Sequence, residues 1–214
     1  MIYLLACVEG ESTEPNIVDG IVLFLRSQKP QAYKKVEVET IPLSGNHGHL
    51  KLIERAKVEA EKYIREYDIQ TPPDEVKKYL VVDFDRLNEH GIDYDDFRKK
   101  IIQNGFIPIF TRPKIEYFIA RLFYDKEELT GLTPAQIDQK ITEGIDNFNE
   151  GKDEILRIPP YGKKKSEALG CLQTMFNLDP VFLERAKNIE VEHNGEQFTE
   201  MAILIEELCN LLDY

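Results

Sequence analysis

Acidic residues close three of the apolar runs in this chain. Ile2–Val8 is followed by Glu9, Tyr79–Val82 by Asp83-Phe84-Asp85, and Phe106–Phe110 by Thr111-Arg112-Pro113 and then Glu116. Asp83 and Asp85 are two apart, so on an extended chain both carboxylates project to the same side and reach one ion. Carboxylate oxygens are hard ligands and suit Mg²⁺ or Mn²⁺ rather than zinc. Acids gathered in one crevice repel one another unless a cation neutralises them. An acid also ends many buried strands simply because the chain is returning to water. Glu9 weighs toward chemistry, because Gly10 follows it at once and lets the backbone turn tightly.

The remaining candidates each have two readings. Glu14 stands just before Pro15, a residue suited to the first turn of a helix. It either caps that helix or joins the acid crevice, since a capping acid faces the same way. Glu116 is either an exposed helix acid or a further ligand. Arg112 either pairs with the acids or stabilises charge on a reacting phosphate. Lys163, the first of three consecutive lysines with Lys152 and Arg157 upstream, is either part of a solvated charge run or a phosphate contact. His47 and His49 are read as a surface turn rather than a metal pair, because no Cys or third His stands at ligand spacing. The chain has no GxSxG, no Walker A motif and no Cys with an evident His partner.

These residues need elements to hold them. Ile2–Val8, the β-branched segment Val36–Ile41, Tyr79–Phe84 and Phe106–Phe110 read as strands. Between them, apolar residues recur at helical spacing, most clearly Leu50, Ile53, Ala56, Ala60, Tyr63, Ile64 and Tyr67. The order β-α-β-α-β-α-β-α predicts an α/β fold: an open, mainly parallel four-stranded sheet flanked by helices. Ligands in such sheets bind beyond the carboxyl ends of the strands, where the acids stand. From about Asp125 onward only helices are expected, over Ile137–Phe148, Ser166–Phe176, Pro180–Asn188 and Phe198–Leu212. The expected division is an α/β core over 1–124 and a helical C-terminal extension over 125–214 packed on it.

Composition narrows the function. The 214 residues carry 27 Lys+Arg and 39 Asp+Glu, a net charge of −12, which disfavours a protein that coats nucleic acid with a broad basic face. Three widely spaced cysteines form no disulfide framework, so a reducing cytoplasm is expected. No stretch reads as a signal peptide or as the roughly 20 apolar residues of a membrane span.

Cys7-Val8-Glu9-Gly10-Glu11-Ser12-Thr13-Glu14-Pro15-Asn16 resembles the opening motif of the RloB-like proteins, a branch of the TOPRIM superfamily near the OLD-type nucleases. Leu80-Val81-Val82-Asp83-Phe84-Asp85 resembles the TOPRIM DxD strand. Phe110–Phe118 resembles the family's turn into a Phe-Glu helix, and Tyr161-Gly162-Lys163 its Tyr-x-Lys element. Arg112, Ile115, Phe118 and Leu122 depart from it, standing where the family has Asn, an aromatic, Trp and His.

The resemblance implies a TOPRIM-like core in which Glu9 serves in acid–base chemistry or metal binding and Asp83 and Asp85 hold Mg²⁺ or Mn²⁺. Glu14 would be the second acid of the loop and Glu116 the acid of the later helix. It further implies an endonuclease acting on DNA or RNA in defence against phage or mobile elements, as effector of an AAA/ABC-type ATPase partner. Two alternatives stay open: a catalytically silent TOPRIM interaction subunit, and a DxD nucleotidyl- or phosphotransfer enzyme.

Overall fold

A computed structural model describes residues 1–10, 13–28, 36–43, 49–83, 91–112, 114–161, 165–189 and 197–211, without the side chains of 13, 14, 25, 26, 28, 49 and 165–170. The first part alternates β1 (Ile2–Glu9), α1 (Thr13–Gln28), β2 (Val36–Leu43), α2 (His49–Glu66), β3 (Glu75–Asp83), α3 (Tyr94–Gln103), β4 (Ile107–Arg112) and α4 (Glu116–Arg121). There follow α5 (Lys126–Leu129), α6 (Pro134–Asn149), a 3₁₀ turn at Glu154–Leu156, α7 (Lys165–Leu178), α8 (Val181–Lys187), β5 (Phe198–Thr199) and α9 (Met201–Leu211).

The sheet order is β2-β1-β3-β4-β5, with β1 to β4 parallel and β5 antiparallel to β4. The fold is therefore α/β with a mainly parallel sheet flanked by helices. The sheet has five strands, not the four expected. The additional strand is two residues long, Phe198 and Thr199 opposite Arg112 and Thr111, too short to show a period of two. The sequence predicts a last helix over Phe198–Leu212, whereas the helix begins at Met201.

β3 also starts earlier than its apolar run. Glu75, Val76, Lys77 and Lys78 pair with Ile2–Leu5, but they are exposed or half-buried, so polar types are tolerated there. Its second half, Tyr79–Val82, is buried on both faces, which explains the continuous apolar sequence.

Alternation along the strands sorts the interior into two layers. Leu4, Ala6, Val8, Tyr79, Val81 and Ile109 face a cluster with Ile17, Val18 and Ile21 of α1 and Cys171, Leu172 and Met175 of α7. Phe24 and Phe176 stack between those two helices with ring centroids 5.3 Å apart. Leu5, Cys7, Leu80, Val82 and Phe110 face the other layer, with Leu52, Ile53 and Ala56 of α2 and Phe97 and Ile101 of α3. Burying each such side chain stabilises the fold by roughly 1.5–3 kcal/mol. Helix starts carry their sequence signals: Thr133 and Gln136 form a capping box before Pro134, and the Asp93 carboxylate accepts from Asp96 N at 2.9 Å. No helix among the described residues is long and apolar enough to cross a membrane.

Candidate active site

β1 and β3 are neighbours, and their last register pair is Val8 with Val81. Glu9 is one residue beyond that pair and Asp83 two, so both stand at the carboxyl edge of the sheet, on adjacent strands. Glu9 is only 8% exposed and Asp83 is half-buried. Gly10 then adopts φ 106°, a conformation that side-chain-bearing residues rarely adopt, which gives the glycine in the Glu-Gly step a backbone reason.

Alternation separates the two acids. Glu9 shares parity with Leu5 and Cys7, on the face packed against α2, whereas Asp83 shares parity with Tyr79 and Val81, on the face packed against α1. For both to hold one ion, the carboxylates must meet over the crest of the sheet.

Asp83 is engaged from β4. Asp83 and Thr111 are register partners, and the buried Thr111 hydroxyl donates to Asp83 Oδ1. Beyond Thr111, Arg112 is half-buried at the end of β4, opposite Phe198.

Glu116 is not an exposed helix acid. It is 5% exposed at the first position of α4, and Lys114 Nζ stands 3.8 Å from its Oε1. The same ammonium donates to Asp138 Oδ1 of α6 at 2.7 Å, so Lys114 ties two acids together. Glu116 therefore has a cation of its own within the protein.

Asp85, Lys163 and His47 lie outside the described residues, as do the side chains of Glu14 and His49; the backbone of Glu14 lies in the first turn of α1. Among the described residues, no group of three or more His, Cys, Asp and Glu side chains is arranged to hold a metal ion.

Glu9 and Asp83 offer carboxylate oxygens. Cys7, two residues before Glu9, is fully buried, and burial pushes its thiol up to about 12, outweighing the lowering by Lys78. It supplies no thiolate ligand or nucleophile near neutrality. Carboxylate oxygens of this kind suit a hard divalent cation rather than a thiophilic one.

Sequence reasoning missed a second ionic cluster. Glu200 is fully buried, and its Oε2 accepts from Phe110 N at 2.9 Å. Its Oε1 accepts from Tyr94 OH at 2.9 Å and from Arg98 at 2.6 Å. Burial would lower the Arg98 guanidinium, but Glu200 and Tyr94 together raise it above its ordinary value. The cluster fastens α3 and the C-terminal segment to β4 immediately before Thr111. No local signal marks it, because its partners lie about a hundred residues apart in the chain.

Compared with protein-family models, curated proteins and solved structures, the chain gives no match.

Proposed function

We propose that the chain is a metal-dependent phosphodiesterase, an endonuclease on DNA or RNA, with Glu9, Asp83 and Asp85 as its metal-holding residues and Glu14 beside them. The observation that carries this reading is the pair Glu9 and Asp83 at the carboxyl edge of adjacent parallel strands, with Gly10 turned sharply behind Glu9. This is where an open α/β sheet binds its ligands. Glu9 and Asp83 also belong to the first two segments that resemble the TOPRIM motifs of RloB-like proteins.

Mg²⁺ or Mn²⁺ held there would lower the pKa of an attacking water and neutralise charge on the phosphate. The chain's own residues do the rest. Asp83 is held in place by Thr111. Glu9 offers its carboxylate from a largely water-excluded position, where a charge acts more strongly than in bulk water. Arg112, at the end of β4, is the cation proposed to meet a phosphate that approaches the strand ends. Glu116 is assigned to the Lys114–Asp138 network and not to the metal.

The net charge of −12 gives a free chain little hold on nucleic acid. That suits an effector kept quiet until an AAA/ABC-type ATPase partner brings substrate to it, in cytoplasmic defence against phage or mobile elements. A pull-down from the host that recovers no ATPase counts against the partner. The nuclease assignment is tested by incubating purified protein with mixed DNA and RNA and Mg²⁺ or Mn²⁺, alongside Asp83→Ala.

One observation favours a second reading, a catalytically silent interaction subunit. Glu9 and Asp83 belong to opposite faces of the sheet, which suits two separate structural roles as well as one shared ion. Direct Mn²⁺ titration separates the two: a silent subunit binds no ion through Asp83.

A further inference from the structure

Thr111 has a plain explanation as a β-branched residue filling a strand. Valine would fill the same space without burying a hydroxyl, which costs roughly 1–3 kcal/mol when left unbonded. Thr111 is 0% exposed, and its hydroxyl donates to Asp83 Oδ1. The geometry behind this contact is fixed on both sides. Thr111 is the register partner of Asp83 on β3 and of Thr199 on β5, so its backbone is held between two strands. A β-branched side chain is also stiff at χ1, so the donor's direction follows from the backbone. Glu200 pins the preceding residue through both Phe110 N and Phe110 O.

We propose that Thr111 is a positioning residue for Asp83: its buried hydroxyl, held between β3 and β5, orients the Asp83 carboxylate for a divalent cation. The proposal rests on Asp83 being a metal ligand, as above. Outer partners that orient a ligating carboxylate are worth about 10–100-fold in metal affinity. Thr111 touches neither ion nor substrate and acts only through Asp83.

The test is Mn²⁺ titration of the purified full chain, with free Mn²⁺ read by electron paramagnetic resonance. Wild type, Asp83→Ala, Thr111→Val and Thr111→Ser are compared, with thermal unfolding of each as the folding check. Thr111→Val keeps the shape and removes the donor; Thr111→Ser keeps the donor and removes the methyl. The expected result is about 10-fold or more weaker Mn²⁺ binding in Thr111→Val and binding within about 3-fold of wild type in Thr111→Ser. Should Thr111→Val fail to fold, Thr111→Cys, of similar volume and with only a weak donor, reads the same quantity and is expected to weaken binding likewise. Loss of binding in Asp83→Ala with Thr111→Val unchanged overturns the positioning role alone. Equal weakening in Thr111→Val and Thr111→Ser also overturns it, since the hydroxyl is then not the cause. Unchanged binding in Asp83→Ala overturns the metal assignment itself.

Discussion

Glu200 grips the backbone of Phe110 from both sides: its Oε2 accepts from Phe110 N at 2.9 Å, and its own N donates to Phe110 O at 2.8 Å. A fully buried carboxylate is tolerated here because Arg98 and Tyr94 share its other oxygen. Removing one partner of such a cluster leaves the others desolvated and poorly paired, which costs more than the pair gained. Glu200→Ala is expected to destabilise the fold by about 3 kcal/mol, with Glu200→Gln intermediate. Urea unfolding of both variants and of Arg98→Met measures this. A change within 0.5 kcal/mol, estimated on the scale of an ordinary surface substitution, would show that the cluster holds nothing.

Gly10 occupies φ 106° immediately after Glu9. A side chain there is strained whatever space surrounds it. Gly10→Ala is expected to cost about 1–3 kcal/mol and to disturb the edge of the site. The check is a urea midpoint together with the Mn²⁺ titration. A stabilised variant with unchanged binding would show that the turn relaxes freely.

The cysteines supply a pH dependence. Burial pushes the thiols of Cys7 and Cys171 up to about 12, and it raises that of Cys209 as well. A folded-state pKa above the unfolded value, about 8.5, means that the unfolded chain releases protons first as pH rises. The stabilising contribution is therefore fully present below pH 8.5 and is lost as pH rises toward the folded value. Stability should fall above about pH 8.5, each thiol contributing at most about 1.4 kcal/mol per pH unit. Urea midpoints between pH 8 and 10 test this, because the buried Tyr79 and the half-buried Tyr94 begin to contribute only higher, near pH 10. At pH 8 the native protein should react with a thiol reagent only as fast as it unfolds. Immediate reaction of one thiol or more contradicts the burial.

What could be read from the residues follows physical lines. Leu4–Val8 of β1, Pro108–Phe110 of β4 and the second half of β3 are buried on both faces, so these stretches are apolar runs and visible as such. α6, α8 and α9 show their period because each buries one stripe, such as Ile137, Ile141 and Ile145 of α6. β5 is two residues long and exists only because β4 offers an edge at Thr111 and Arg112, a condition set elsewhere in the chain. The first half of β3 was hidden by Glu75, Lys77 and Lys78, polar residues that a sheet edge open to solvent accepts.

In the site, the acid at each strand end could be named from type and position. Which face each acid belongs to depends on register, and the Glu9–Asp83 separation emerged only with the pairing of β1 and β3. The sequence leaves Glu116 open between an exposed helix acid and a ligand, because the Lys114–Asp138 contact that accompanies its burial comes from a distant part of the chain. In the sequence Thr111 reads as the first residue after the fourth apolar run, and Glu200 as a position in a helix.

The central claim is that Asp83 serves a metal ion that supports phosphodiester cleavage. The direct measurement is cleavage of labelled DNA and RNA by the purified chain in Mg²⁺ or Mn²⁺, wild type against Asp83→Ala, with unfolding curves showing that both are folded. Metal-dependent cleavage is expected to fall on the order of 10³-fold in the variant, about 4 kcal/mol of transition-state stabilisation. Cleavage that persists undiminished in Asp83→Ala would contradict it.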